Sequence, residues 1–152
     1  TGMEGSLRTP AMVRYPGTVP ETRQSNEIVH ITDLLPTFSG PAGYAVPTDR
    51  MIDGVDQMPL FTGKTDKSAR EGFPAYNGGN MQSYKWRNFK IHYWDQQKMF
   101  DSPTRYNFPR VHDLLKDPKE LYGLYGGHGG SATGIEQLTW VMPAVSYQVL
   151  AF

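Results

Sequence analysis

The spacing of apolar positions predicts an antiparallel sheet in the second half of the chain. Residues 71–115 contain short runs rich in aromatic and β-branched side chains, separated by turn signals. The tetrapeptide Asn77–Asn80 brings two glycines to a tight hairpin turn, and a second reversal is expected at Arg87–Asn88. The run "PRVHDLL" supplies another strand, so residues 71–115 predict a four-stranded antiparallel sheet.

A helix with one apolar face is predicted near the end of the chain, over residues 135–151. Thr133 and Glu136 have the spacing of a capping box before it, and Pro143 within it predicts a kink or a break. We expect this helix to pack on one face of the sheet, which makes the fold class α+β. Its apolar positions recur at helical spacing, at Leu138, Val141, Met142, Val145, Val149 and Phe152.

The first 70 residues predict a strand, a short helix and loops. The run "PAMVRY" at residues 10–15 is typical of a short buried strand. Asp33 is a suitable N-cap for a short helix, and Pro36 falls in its first turn, where a missing N–H costs little. Residues 45–70 are predicted to be mostly ordered loop.

Composition limits the classes of partner that the chain can have. Its 152 residues suffice for a packed core, with 38% hydrophobic and 12% aromatic residues. Lys plus Arg and Asp plus Glu both number 15, so no basic field exists to attract nucleic acid or an anionic membrane. Cysteine is absent, which excludes disulfides, thiolate–zinc sites and thiol nucleophiles.

No metal site is predicted from the acidic residues and histidines. Asp49, Asp53 and Asp56 lie on one loop and could bind a hard cation, but their spacing fits no calcium-loop template and favours turn and cap roles. The four histidines, at positions 30, 92, 112 and 128, contain no HExxH pattern or close pair, although His92 and His112 could face each other on neighbouring strands.

The order of several motifs resembles the C-terminal third of the formylglycine-dependent sulfatases of arylsulfatase type. The stretches are "EGSLRTPAMVRYPGTVP", "EIVHITDLLPTF", "VPTDRMIDGVDQMPLFTGK", "YKWRNFKIHYW" and "PRVHDLLKDPKELYGL", followed by the terminal helix. Together they cover nearly the whole chain. Ser6 departs from the second glycine of the family's EGG motif, "SGPAG" interrupts the helix after Thr37, and "GLYGGHGGSATG" is longer and richer in glycine than usual.

This resemblance implies two parts and an incomplete catalytic apparatus. Residues 1–70 would be the tail end of the sulfatase α/β core, and residues 71–152 a small C-terminal α+β subdomain. In such sulfatases the formylglycine nucleophile and the calcium ligands lie upstream of the matched region, so no catalytic or metal-binding residue is expected here. "DSPTR" mimics the nucleophile motif, but Asp101 stands where a Cys or Ser would be oxidised.

The resemblance also implies a partner and a location for it. The partner would be the N-terminal catalytic part of a sulfatase, and the family's sulfate-binding lysine would lie just before Thr1. The strand at Ala11–Tyr15 would form an interface with that part, or between two copies of this chain. Compartment is not determined, although many bacterial sulfatases are periplasmic or extracellular. The alternative is a stand-alone, non-catalytic binding or assembly module.

Six residues are candidates for the rim of a substrate pocket. A buried Arg8 needs a carboxylate, and Glu4 is close in sequence, so this pair could shape the site or only support it. The candidates on the hairpin could line a substrate pocket. Alternatively, one face of the hairpin packs on the terminal helix, and the other face keeps Lys85, Arg87 and Lys90 in water. The candidates are Glu4, Arg8, Trp86, Lys90, His92 and His128.

Overall fold

The computed structural model describes residues 2–96, 100–121 and 140–150. The chain divides into two compact units. The sheet unit comprises Thr1–Thr9 and Gly72–Phe152, and the loop unit comprises Pro10–Glu71. The first nine residues are therefore grouped with the sheet, across a separation of more than sixty residues in sequence.

The sheet unit contains the four-stranded antiparallel sheet that the sequence predicts, in the order β1-β2-β3-β4. The turn between β1 and β2 uses Gly78 and Gly79 with φ of 58° and 80°, a conformation that favours glycine. The turn between β2 and β3 uses Arg87, with φ of 53°. The strands are β1 Gly72–Asn77, β2 Asn80–Trp86, β3 Phe89–Asp95 and β4 Thr104–Asp113.

The described C-terminal helix, α4, spans Val141–Val149 and packs on one face of the sheet, as predicted. Val141 and Val145 are fully buried in a cluster with Ile91 and Val111. The Trp140 ring meets that of Phe89 edge-on, with centroids 5.4 Å apart. The core of the sheet unit therefore lies between α4 and the sheet.

Pro143 is the third residue of α4, where backbone N–H groups have no partner within a helix, so the described helix accommodates it in the first turn. The predicted kink or break concerned a helix over residues 135–151, and residues 135–139 lie outside the described residues, so it stays a prediction. Thr133, Glu136, Leu138 and Phe152 lie outside the described residues.

The predicted strand at residues 10–15 is wrong. These residues form neither helix nor strand, and Met12 is 95% exposed. Pro10 lacks an N–H group and Pro16 follows the run directly, so a strand here could not extend its ladder at either end. Before this segment, a single helical turn, α1, spans Glu4–Leu7 in the sheet unit.

The loop unit contains two short helices joined by ordered loops. A 3₁₀ turn at Ile31–Asp33 leads into α2, Leu34–Ser39, as the sequence predicts in outline. A further helix, α3, spans Met58–Phe61 in the segment predicted to be loop, with a proline in its first turn. The rings of Phe38 and Phe61 stack with centroids 6.1 Å apart, joining the two helices.

Asp33 organises the loop unit and is not the side-chain cap of α2 that was predicted. Its fully buried carboxylate accepts hydrogen bonds from the Val55 N–H and from the Arg70 guanidinium, at 3.0 and 2.6 Å. It also accepts from the N–H of His30, which lies before the 3₁₀ turn. Burial acts to raise the pKa of Asp33, but these hydrogen bonds, above all that of Arg70, lower it below its usual value.

Among the residues that the structure describes, no helix combines the length and the apolar character needed to cross a membrane.

Candidate functional site: a buried charged cluster on the sheet

A cluster of charged side chains lies on the sheet and links three segments that are distant in sequence. β2 and β3 pair so that Lys85 lies directly opposite Lys90. Like charges at such a position repel each other, so a carboxylate nearby is needed to stabilise the pairing. The charged cluster consists of Glu4, Lys85, Lys90, His92 and Glu120.

Glu4 of α1 supplies the first carboxylate, between the two opposed lysines. Lys85 Nζ donates to one oxygen of Glu4, and Lys90 Nζ donates to the other at 3.3 Å. Lys90 is fully buried and Glu4 is 6% exposed. A buried ammonium group requires such ionic partners, so Glu4 neutralises a repulsion that the hairpin creates.

Glu120 supplies the second carboxylate from the segment after β4. Its Oε1 lies 3.1 Å from Lys90 Nζ and 2.7 Å from His92 Nε2. Its Oε2 accepts the backbone N–H of Glu4 at 2.5 Å. Burial acts to raise the pKa of Glu120, but the His92 hydrogen bond, the Glu4 N–H and the Lys90 charge together lower it to about 2.

The turn that carries Glu120 is held by a second carboxylate–histidine pair. His112 Nδ1 lies 3.1 Å from Asp117 Oδ2, and both residues are buried. Asp117 Oδ1 accepts the N–H of Leu121, while the Glu120 N–H donates to the Asp117 carbonyl. Glu120 has a φ of 56°, a strained conformation for a residue with a Cβ. These contacts therefore hold Glu120 in a position that the backbone alone does not favour.

His92 and His112 face each other, as the sequence suggested. Their ring centroids lie 5.4 Å apart, with the planes nearly perpendicular. Burial lowers the pKa of His112, the hydrogen bond to Asp117 opposes this shift, and the neighbouring His92 adds to it.

The chemistry of the charged cluster suits it to hold α1 in place on the sheet. Its carboxylates are occupied by ammonium, imidazole and backbone donors, so none is placed as a free base or nucleophile. In residues 2–96, 100–121 and 140–150, no three His, Asp or Glu side chains are grouped to hold a metal ion, so these residues do not fit a calcium site. On the Asp49–Asp56 loop, Asp49 pairs with Arg50, and Asp56 accepts the Met58 N–H.

The structure brings three of the six predicted pocket residues together. Glu4, Lys90 and His92 share the charged cluster, where Glu120 is a member that sequence reasoning missed. Trp86 lies in the apolar core. The predicted burial of Arg8 is wrong, since its side chain is exposed and Glu4 pairs with lysines. His128 lies outside the described residues, and the rim role of all six stays a prediction.

Comparison with known proteins identifies the family of this chain. Residues 2–140 match the family described as N-sulphoglucosamine sulphohydrolase, C-terminal. The chain belongs to this sulfatase family. Rat steryl-sulfatase is 30% identical over 145 residues, covering 80% of this chain and 25% of that relative. Human arylsulfatase A is 31% identical over 154 residues, covering 90% of this chain and 30% of that relative.

A solved structure supports the fold. The PsFucS1 sulfatase from Pseudoalteromonas sp. superposes with a TM-score of 0.60 at 23% identity, covering 86% of this chain and 28% of that one. The sulfatase C-terminal chain described here thus spans 25% and 30% of the two curated relatives. The relationship of this chain to sulfatases implies that calcium and formylglycine belong to the catalytic part of such enzymes.

Proposed function

We propose that this chain serves as the C-terminal part of a sulfuric ester hydrolase. In this role it completes the enzyme fold and rims the substrate pocket, while an N-terminal catalytic part supplies the formylglycine nucleophile and the calcium ligands. The observation that carries the proposal is the anchoring of Glu4 by the charged cluster.

The charged cluster suits this role because it fixes both the backbone and the side chain of Glu4. The Glu4 N–H is held by Glu120, and the Glu4 carboxylate is held by Lys85 and Lys90. In the sulfatases that the sequence resembles, a sulfate-binding lysine lies shortly before this glutamate. Fixing Glu4 would hold that lysine at a defined place, which a reaction with developing charge on sulfate requires.

In this proposal, the buried candidate residues support the pocket rim indirectly, and the exposed ones contact the substrate. Glu4, Lys90 and His92 act from below the surface by positioning α1, whereas Trp86 packs in the apolar core with α4 and would support the site only through the hairpin. Arg8 follows α1 with an exposed side chain, so it is the described candidate best placed for direct contact with a substrate. His128 keeps its predicted rim role on sequence grounds alone.

The exposed segment Ala11–Tyr15 is the proposed contact with the catalytic part. Met12 is 95% exposed and Tyr15 is 38% exposed, and apolar side chains of this size favour a protein partner. Light scattering of the 152-residue chain tests the alternative, pairing of two copies. A dimer that dissociates in a Val13→Glu variant would support self-association. A monomer whose mass and solubility are unchanged in that variant would instead favour the stand-alone module.

The function is tested by comparing the 152-residue chain with the natural protein that carries it. The intact mass of the natural protein is measured first, and both are then assayed with an aryl sulfate, with and without calcium. We expect turnover by the natural protein and none by the 152-residue chain. Turnover by the purified chain, or a natural protein of 17.1 kDa without turnover, would refute the proposal. The second result would favour the stand-alone module.

The positioning role has its own test in the natural protein. Lys90→Met should lower kcat/KM for the aryl sulfate at a temperature where the variant remains folded, because α1 loses one of its anchors. Lys64→Met, which changes an exposed lysine, is the matched control. An unchanged kcat/KM in the folded Lys90→Met variant would contradict the positioning role.

A further inference from the structure

A polar cavity of about 260 Å³ lies where β3 ends and β4 begins, apart from the charged cluster. In the ladder between these strands, Asp95 pairs with Thr104. The volume is slightly below the roughly 300–1,000 Å³ that is usual for small-molecule sites, so it suits one small ring. The cavity is lined by Asp95, Asp101, Ser102, Thr104, Tyr106 and Arg110.

Asp95 is the feature that points to a ligand. The residue is 8% exposed, and its Oδ1 has no hydrogen-bond partner among the residues that the structure describes. A buried carboxylate oxygen without a hydrogen-bond donor destabilises the folded state, because it loses its hydration without a replacement. Because Asp95 also lines the cavity, a molecule that brings an O–H or N–H group there would remove this cost.

Tyr106 and Arg110 of β4 also line the cavity. The Arg110 guanidinium carbon lies 4.1 Å from the centre of the Tyr106 ring, a cation–π contact. Burial and the charge of Asp95 raise the pKa of Tyr106, with Arg110 opposing them, so the phenol keeps its proton at neutral pH. The Tyr106 hydroxyl group interacts with both Asp95 and Arg110, so it links the carboxylate to the guanidinium.

The charges of the lining residues narrow the class of ligand. A simple anion would be attracted by Arg110 but repelled by Asp95 and Asp101. A simple ammonium ion would be attracted by the carboxylates but repelled by Arg110. A metal ion would find two carboxylates beside a fixed guanidinium, which is a poor ligand set. A neutral molecule with adjacent hydroxyl groups can donate to a carboxylate and accept from a guanidinium at the same time.

We propose that this cavity binds a neutral sugar ring through two adjacent hydroxyl groups. One hydroxyl group donates to Asp95 Oδ1, and its neighbour accepts from the Arg110 guanidinium. The exposed hydroxyl groups of Ser102 and Thr104 contact the outer edge of the ring. The site lies wholly in the sheet unit and requires no sulfate group, so it stands independently of the proposed enzyme function.

The test is a titration of the ¹⁵N-labelled 152-residue chain with D-galactose and D-glucose, followed by NMR. Amide signals of Asp95, Tyr106 and Arg110 should shift in a saturable way for at least one sugar. Asp95→Asn, which keeps the side-chain shape, should weaken binding about tenfold. Arg110→Lys should weaken it as well, because lysine lacks the two-pronged donor geometry of arginine. Circular dichroism verifies that both variants are folded.

Controls distinguish sugar binding from two simpler explanations, a charged ligand and a cavity that holds only water. Asp66→Asn changes an exposed aspartate of the loop unit and should leave sugar binding unchanged. Sodium sulfate and methylamine are titrated in parallel. Saturable shifts at the cavity with either of these and not with a sugar would overturn the proposal, since the ligand would then be charged. Absence of any saturable shift would also overturn it, and the cavity would then hold only water.

Discussion

Replacing Glu120 by Gln tests whether the charged cluster depends on an ionised carboxylate. The substitution keeps the length and shape of the side chain and the positive φ, so backbone strain is the same in both proteins. It removes the charge that faces Lys90 and one of the two acceptor oxygens. Glu120 accepts from Lys90, His92 and the Glu4 N–H, so an amide cannot satisfy all of these donors.

The magnitude follows from the pKa of Glu120, which is lowered from 4.5 to about 2. One pKa unit corresponds to about 1.4 kcal/mol, so ionised Glu120 stabilises the folded state by about 3 kcal/mol at neutral pH. The folded-state pKa lies below the unfolded value. The contribution is therefore complete above pH 4.5 and is lost as the pH falls towards about 2. The variant should be about 3 kcal/mol less stable at neutral pH, with the difference shrinking in acid.

Urea unfolding followed by tryptophan fluorescence measures this difference. All three tryptophans, at positions 86, 94 and 140, belong to the sheet unit, so the signal reports the unit that contains Glu120. Glu21→Gln, at an exposed glutamate, is the control and should change stability by less than about 0.5 kcal/mol. A Glu120→Gln variant as stable as the wild type at neutral pH, or a difference at about pH 3 as large as that at neutral pH, would refute the reasoning.

Three further substitutions or truncations test other parts of the structure. Asp33→Asn should destabilise the loop unit by about 3–5 kcal/mol in calorimetry, because Arg70 would lose its buried carboxylate partner. Gly54→Ala should lower the melting temperature, since a Cβ there would overlap the Thr32 carbonyl, whereas Gly40→Ala has open space and should not. Removing residues 134–152 should uncover the face of the sheet under α4 and cause aggregation visible by light scattering. An Asp33→Asn protein as stable as the wild type would contradict the role of the Arg70 ion pair. Equal melting temperatures for the two alanine variants would contradict the close contact at Gly54. A soluble truncation with unchanged stability would contradict the packing of α4 on the sheet.

The sheet was predictable because its signals are local. The glycines at positions 78 and 79 permit the positive φ of the first turn, and aromatic runs flank it on both sides. Helical spacing of Val141 and Val145 likewise gave the face of α4 that packs on the sheet. In each case the residues that determine the element lie within a few positions of one another.

The charged cluster was not predictable in full because its contacts are distant in sequence. Glu4 reaches Lys85 across 81 positions, and its N–H reaches Glu120 across 116. Strand alternation suggested that Lys90 faces water, but β3 is buried on both faces. One signal was available: Lys85 and Lys90 are symmetric about the Arg87–Asn88 turn, so a hairpin places them opposite each other and requires an acidic partner.

The errors in the first half arise from the same cause. Apolar content suggested a strand at residues 10–15, but a strand also needs a ladder partner, which composition does not reveal. Asp33 has the sequence context of a helix cap, yet the Arg70 guanidinium, 37 positions away, binds its carboxylate. The local sequence pattern identified Asp33 as a residue with a structural role, but its tertiary partner Arg70 determines what that role is.

Buried carboxylates anchor segments that are distant in sequence in both units. Asp33 joins the helices of the loop unit to Arg70, and Glu120 joins α1 to the sheet. Replacing such pairs by apolar side chains often costs little stability, so their value lies in geometry: a carboxylate oxygen requires its donors at defined places. Both carboxylates have lowered pKa values, so both anchors weaken as the pH falls. Under the proposed function, in which α1 is held at a fixed place beside a catalytic part, this arrangement is an advantage, because apolar packing alone tolerates shifts that hydrogen-bonded charges do not.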